Sequence, residues 1–247
     1  TFDTNMVVIG AGSAGLVSAL IAATVKAKVT LVEANKMGGD CLNYGCVPSK
    51  ALIKSATVAK IIKSADKYGL QASNPEFKFS NVMARVHSII KQIEPHDSVE
   101  RYTEMGVDVL EGYGKLIDPW TVEVNMNDGT QKIITTKSVV IAAGAAPFVP
   151  PLPGIDDIGY VTSDTLWDKF ANLEDAPKKL VVLGGGPIGC ELSQSFARLG
   201  SQVIQIEMLP RIMIREDEEV SEFVKERLEA DGVQVLINHK ALRCEIN

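Results

Sequence analysis

Residues 6–33 read MVVIGAGSAGLVSALIAATVKAKVTLVE, and this stretch decides the fold. A short apolar run rich in β-branched residues stops at Gly10-Ala-Gly-Ser-Ala-Gly15, and an alanine- and leucine-rich helical pattern continues to about Val25. The segment KVTLVE at 28–33 is then a second strand that ends in an acid, which completes a strand–helix–strand unit with parallel strands. Residues 180–207 read LVVLGGGPIGCELSQSFARLGSQVIQIE and write the unit a second time. Gly10 and Glu33 stand as far apart as Gly184 and Glu207, so turn, helix and acid occupy matching places in the two copies.

A glycine-rich turn between strand and helix can serve plain packing, but with an acid closing the next strand it fits a dinucleotide better. The bare turn lets backbone approach a pyrophosphate, whose charge is held by N–H groups at the positive end of the helix. Gly10, Gly12 and Gly15 meet that requirement, and Glu33 lies where an acid accepts hydrogen bonds from ribose hydroxyls. Gly184, Gly186, Gly189 and Glu207 repeat the argument, so two nucleotide cofactors are implied. The expected fold class is α/β, with two Rossmann-like dinucleotide-binding domains, the first carrying a β-meander insertion. A carboxylate at Glu207 repels a ribose 2′-phosphate, so NAD is expected rather than NADP at the second turn. Arg211 is expected to be a solvated surface charge.

The rest of the chain is consistent with this plan. Its 247 residues and 46% hydrophobic content suit two medium domains. The net charge of −6 comes with no lysine or arginine block, which argues against nucleic acid as a partner. Apolar runs are too short for the roughly 20 residues that cross a bilayer, so no membrane span is expected. Residues 48–67 have helical character, and 80–104 support one long helix with Val82, Val86, Ile89, Ile90 and Ile93 on its buried stripe. Alternation over 107–141 around Asn127-Asp128-Gly129 predicts a β-meander, and the apolar run at 138–143 predicts a buried return strand before Gly144. Pro147, Pro150, Pro151 and Pro153 then mark a boundary, giving domains at 1–150 and 151–247. A helix at 217–230 and a strand at 233–237 follow, and the second domain reads as incomplete.

Four cysteines in a chain of this length do not make a secreted disulfide scaffold, and a cytoplasmic location is expected. Cys41-Leu-Asn-Tyr-Gly-Cys46 is a close pair, which reads as redox or metal chemistry. Pro48 suits the first turn of a helix, which would set Cys46 beside the positive end of the dipole and favour its reactive thiolate. A static disulfide is uncommon in a reducing cytosol, and a zinc site needs two more ligands that the neighbouring sequence does not offer. No metal site is expected. Cys190 and Cys244 read as bystanders.

The segment Gly39-Asp-Cys-Leu-Asn-Tyr-Gly-Cys-Val-Pro-Ser-Lys50 resembles the active-site segment of the class I pyridine-nucleotide disulfide oxidoreductases, the family of dihydrolipoamide dehydrogenase, mercuric reductase and glutathione reductase. The resemblance extends through the first glycine turn, the return strand Ile141-Ala-Ala-Gly-Ala145 and residues 184–191. It implies that Cys46 is the flavin-proximal thiol, that Cys41 is the interchange thiol, and that Lys50 and Glu191 form an ion pair beside the flavin N5. It further implies FAD contacts at Gly10, Gly12, Ser13, Ala14, Gly15, Glu33, Ala34, Gly39, Asp40, Lys50, Gly114, Ala143 and Gly144. NAD contacts are implied at Gly184, Gly186, Pro187, Ile188, Gly189 and Glu207.

Three departures stand out. Ala143 and Ala146 replace a frequent threonine and arginine, and Pro187 takes the place of an aromatic gate found in some relatives. Family members also continue through an interface domain that donates a His–Glu pair from the partner subunit of a homodimer. His87, His96 and His239 do not match that pair, so the chain reads as a fragment. The activity implied is electron transfer from NADH through FAD to the Cys41–Cys46 disulfide and on to a small-molecule or protein disulfide, or a metal ion. Two other functions fit the residues: a non-catalytic FAD/NAD-binding redox sensor, and a flavin oxidoreductase that does not use the cysteine pair.

Overall fold

The computed structural model describes residues 1–246. In chain order the elements are β1 (Thr4–Ile9), α1 (Ser13–Thr24), β2 (Val29–Glu33), α2 (Gly39–Asn43), α3 (Cys46–Lys63), α4 (Phe79–Ile93), α5 (Val99–Glu104), β3 (Val107–Asp118), β4 (Thr121–Met126) and β5 (Gln131–Ile141). Then follow α6 (Leu166–Lys169), β6 (Lys179–Leu183), α7 (Pro187–Arg198), β7 (Gln202–Ile206), α8 (Glu218–Ala230) and β8 (Gln234–Leu236). They form two compact units, one of residues 1–48 and 88–147, the other of 49–87 and 148–247. The chain passes between the units at Pro147, and residues 49–87 cluster with the residues that follow it. The reason is packing: Phe79 of α4 meets Phe196 of α7, with ring centroids 5.9 Å apart.

In the first unit, β1 lies between β2 and β5, all parallel, and β3 runs parallel to β2. β3 and β5 are long enough to leave this sheet and pair with β4 in an antiparallel meander, so the hydrogen bonding closes in a ring. Asp128 shapes the tight turn, its carboxylate accepting from the N–H and hydroxyl of Thr130 at 2.9 and 2.6 Å. The parallel strands are buried on both faces, which is why they read as unbroken apolar runs. Val8, Val29 and Leu31 face Leu16 and Ala19 of α1. Their neighbours Val7 and Val32 face Val122, Val124 and Ile134 of the meander.

The single helix expected over 80–104 is broken. Pro95 removes a backbone donor, residues 94–97 tighten into a 3-10 turn, and Ser98 restarts α5 by accepting a hydrogen bond from the Arg101 N–H. The buried stripe of α4 is Phe79, Met83 and Val86. Val82, Ile89, Ile90 and Ile93 are only half-buried, so the expected register was rotated along the helix. In the second unit β6, β7 and β8 form a parallel sheet in that order. No helix among the described residues is long and apolar enough to cross a membrane.

Candidate active site

Each of the three glycines in a turn has its own reason to be there, and the two turns agree. Gly10 has φ +102° and Gly184 has φ +113°, conformations that side chains resist. A Cβ on Gly15 would stand 1.8 Å from the Gly10 carbonyl oxygen, and one on Gly189 would stand 2.4 Å from that of Gly184, so helix and strand could not approach. The middle glycines differ. Gly12 and Gly186 are the N-cap residues of α1 and α7, with ordinary φ values of −77° and −75° and no capping side chain. A Cβ on Gly186 would meet nothing within 4 Å, and one on Gly12 only an ordinary contact with Gly39 at 3.8 Å. The fold does not require these two glycines, and both leave the N-terminus of their helix bare.

The two acids are also held alike. Glu33 accepts hydrogen bonds from the Ala11 N–H at 2.6 Å and the Asn35 N–H at 2.7 Å. Glu207 accepts from the Gly185 N–H at 2.6 Å and the Leu209 N–H at 2.8 Å. Each carboxylate is thus anchored to its own glycine turn, with lone pairs left for a sugar hydroxyl. Arg211 is not the solvated charge expected from sequence. It is half-buried and donates to the carbonyls of Glu216 and Ile214, at 2.7 and 3.3 Å, bracing the loop whose Met213 N–H donates to the Gly185 carbonyl.

The cysteine segment is built directly onto the first turn. The Gly38 N–H donates to the Ala11 carbonyl at 2.9 Å, and a Cβ on Gly39 would lie 2.5 Å from the Gly12 Cα, so backbone rests on backbone. Cys41 lies in α2 and Cys46 opens α3, with Pro48 inside the first turn as expected. The six-residue stretch is tightened by the Asp40 carbonyl, which accepts from the N–H groups of Tyr44 and Gly45, and by Asn43, whose amide donates to the carbonyls of Met37 and Gly39. Asn43 was not singled out from sequence, and only its place inside the cysteine pair pointed to it. Cys41 is half-buried and Cys46 exposed.

Ser13, Ala14, Pro187 and Ile188 lie in the exposed first turns of their helices, and Ala143 and Gly144 are exposed just beyond β5. The Ala34 carbonyl accepts from the Asn127 amide. Gly114 is half-buried, and a Cβ there would press on Ile9 and Val32 at 3.3 to 3.4 Å. Lys50 of α3 and Glu191 of α7 are both exposed, and among the described residues no ion pair joins them. Cys190 is buried under the second turn, where desolvation pushes its thiol pKa up against a hydrogen bond from Gln205. Gln205 also donates to the Gly184 carbonyl at 2.9 Å. Its signal in the sequence was a polar residue inside the apolar strand QVIQI.

The sequence profile of the family described as "Pyridine nucleotide-disulphide oxidoreductase" matches residues 4–247. The chain belongs to this family. It is 32% identical over 235 residues to a mercuric reductase of Bacillus cereus, a match covering 95% of this chain and 36% of that protein. It is 34% identical over 238 residues to a dihydrolipoyl dehydrogenase of Acholeplasma laidlawii, covering 95% of this chain and 68% of that protein. Among solved structures, the HOCl-induced flavoprotein disulfide reductase RclA from Escherichia coli aligns with a TM-score of 0.78 at 28% identity, covering 97% of this chain and 50% of that one. The same reductase in its Cu(II) complex aligns with a TM-score of 0.79. The chain therefore spans 36% to 68% of the length of these two curated relatives. Family members bind FAD and a pyridine nucleotide, and both glycine turns fit such ligands, each presenting a bare helix end beside an anchored acid.

Proposed function

We propose that this chain is the FAD- and nicotinamide-binding part of an NAD(P)H:disulfide oxidoreductase that works through Cys41 and Cys46. The observation that carries the reading is the pairing of two glycine turns whose middle residues the fold does not need, with the cysteine segment seated by backbone on the first. Residues 1–150 would hold FAD, through the Gly10–Gly15 turn and Glu33, and residues 151–247 the nicotinamide nucleotide. Bound FAD would supply a two-electron relay between nicotinamide and dithiol. The reading assigns Lys50 and Glu191 to the flavin surroundings.

The chemistry of the cysteines then balances in three steps. Two electrons and a proton open the Cys41–Cys46 disulfide to a thiol at Cys41 and a thiolate at Cys46. Cys41, deprotonated, attacks the substrate disulfide, forming a mixed disulfide and expelling one thiolate that takes up a proton. The Cys46 thiolate attacks the Cys41 sulfur, expels the second thiolate, which takes up a proton from solvent, and restores the internal disulfide. Members of the family include a mercuric reductase, so a metal ion is the second substrate class to test. Glu207 selects NADH over NADPH by like-charge repulsion, and Arg211 does not counter this because its guanidinium is engaged with its own loop.

The test is the absorption spectrum of the purified chain after reconstitution with FAD. A flavin band that NADH bleaches faster than NADPH is expected. A chain that takes up no flavin overturns the reading.

A further inference from the structure

Lys50 and Glu191 make no ion pair with each other, so their separation depends on what holds α3 against α7. Residues 49–63 of α3 and the whole of α7 belong to the second compact unit, and the far ends of the two helices meet one buried carboxylate. Asp231, whose side chain is 6% exposed, caps the C-terminus of α8, where its N–H donates to the carbonyls of Arg227 and Leu228. Its Oδ1 accepts from Lys60 of α3 at 2.9 Å. Its Oδ2 accepts from Arg198 of α7, through Nε at 2.8 Å and Nη2 at 2.7 Å, and from the Gln194 amide at 2.8 Å. Arg198 also reaches Thr57 of α3 at 3.4 Å, and Lys63 of α3 donates to the Arg198 carbonyl at 3.1 Å.

We infer that Asp231 is a positioning residue that fixes the helix bearing Lys50 against the helix bearing Glu191 and the second glycine turn. The inference rests on the proposed role of Lys50 and adds a residue that lies in no recognised motif. A helix advances about 1.5 Å per residue, so Lys60 anchors α3 about 15 Å from Lys50, and a rigid rod carries a displacement at one end to the other. A carboxylate that is only 6% exposed and accepts four N–H groups resists such displacement, because loss of any one partner leaves a buried charge short of hydrogen bonds. Misplacement of about 1 Å at a reacting centre can cost on the order of a hundredfold in rate.

The test compares Lys60→Met, Asp231→Asn, Lys50→Met and the Lys60→Met/Lys50→Met double variant in the flavin-loaded full chain. Lys60 is 40% exposed, so its replacement cuts one arm of the clamp without unfolding the unit. Bleaching of the flavin band by NADH should slow about tenfold in Lys60→Met and Asp231→Asn, and the double variant should be no slower than Lys50→Met. In the flavin-free chain, hydrogen exchange should rise at 49–53 and 187–191, far from the substituted residues. Wild-type bleaching in Lys60→Met and Asp231→Asn, additive slowing in the double variant, or exchange confined to the far ends of the two helices overturns the inference. Lys50→Met at the wild-type rate removes instead the reading of Lys50 on which it stands.

Discussion

Gly186 and Gly189 stand three residues apart in one turn, yet their substitutions should fail in opposite ways. Alanine at 186 meets no protein atom and has an ordinary φ to adopt, so it should cost the fold no more than about 1 kcal/mol of capping. On the proposed reading it intrudes on the space for the pyrophosphate, and NADH binding should weaken by about tenfold or more, roughly 1.4 kcal/mol. Alanine at 189 drives a methyl to within 2.4 Å of the Gly184 carbonyl oxygen, so strand and helix must part and the melting temperature should fall sharply. Thermal melting beside NADH titration of the two variants separates the effects. A Gly186→Ala protein that binds NADH as the wild type does would remove the ligand explanation for that glycine.

At the scale of elements, the Asp231 clamp makes the packing of α3, α7 and α8 depend on pH. Burial pushes the Asp231 pKa up, but hydrogen bonds from Lys60 and Arg198 and their charges outweigh it, so the carboxyl sits below its ordinary 3.8. A depressed carboxyl stabilises the fold above the unfolded-state pKa, and that stability is lost as pH falls through the folded-state value. Asp231→Ala should cost about 3 kcal/mol at neutral pH, because two cations lose a buried partner. Melting curves of wild type and Asp231→Asn should therefore differ at pH 7 and converge as the solution is acidified below the ordinary carboxyl value of 3.8. A gap that stays constant over that range would mean that the charge of Asp231 does not stabilise these helices.

For the whole molecule, the decisive question is whether electrons leave through the cysteine pair. Cys46→Ser should retain FAD, because the turn at 10–15 and Glu33 are untouched, and NADH should still reduce small dyes through the flavin. Disulfide reduction should fall by at least about a thousandfold, since no thiol remains to resolve the mixed disulfide at Cys41. A steady-state assay with both acceptors on one preparation checks this. Disulfide turnover that survives in Cys46→Ser would favour a flavin oxidoreductase independent of the pair.

The amino-acid sequence alone carried the two strand–turn–helix–strand units, the meander, the acids at 33 and 207 and the cysteine pair. Each is written in local periodicity or in a spacing that backbone geometry imposes over a few dozen residues. It misjudged the helix over 80–104, where Pro95 and Ser98 overrode an apolar pattern that continued past them. The packing of 49–87 in the second unit, the bracing of a loop by Arg211 and the tie that Asp231 makes among three helices emerged only in three dimensions. Apart from Arg211, whose partners lie three to five residues along, these depend on side chains far apart in the chain meeting one another, and no short-range pattern encodes which charge will find which partner.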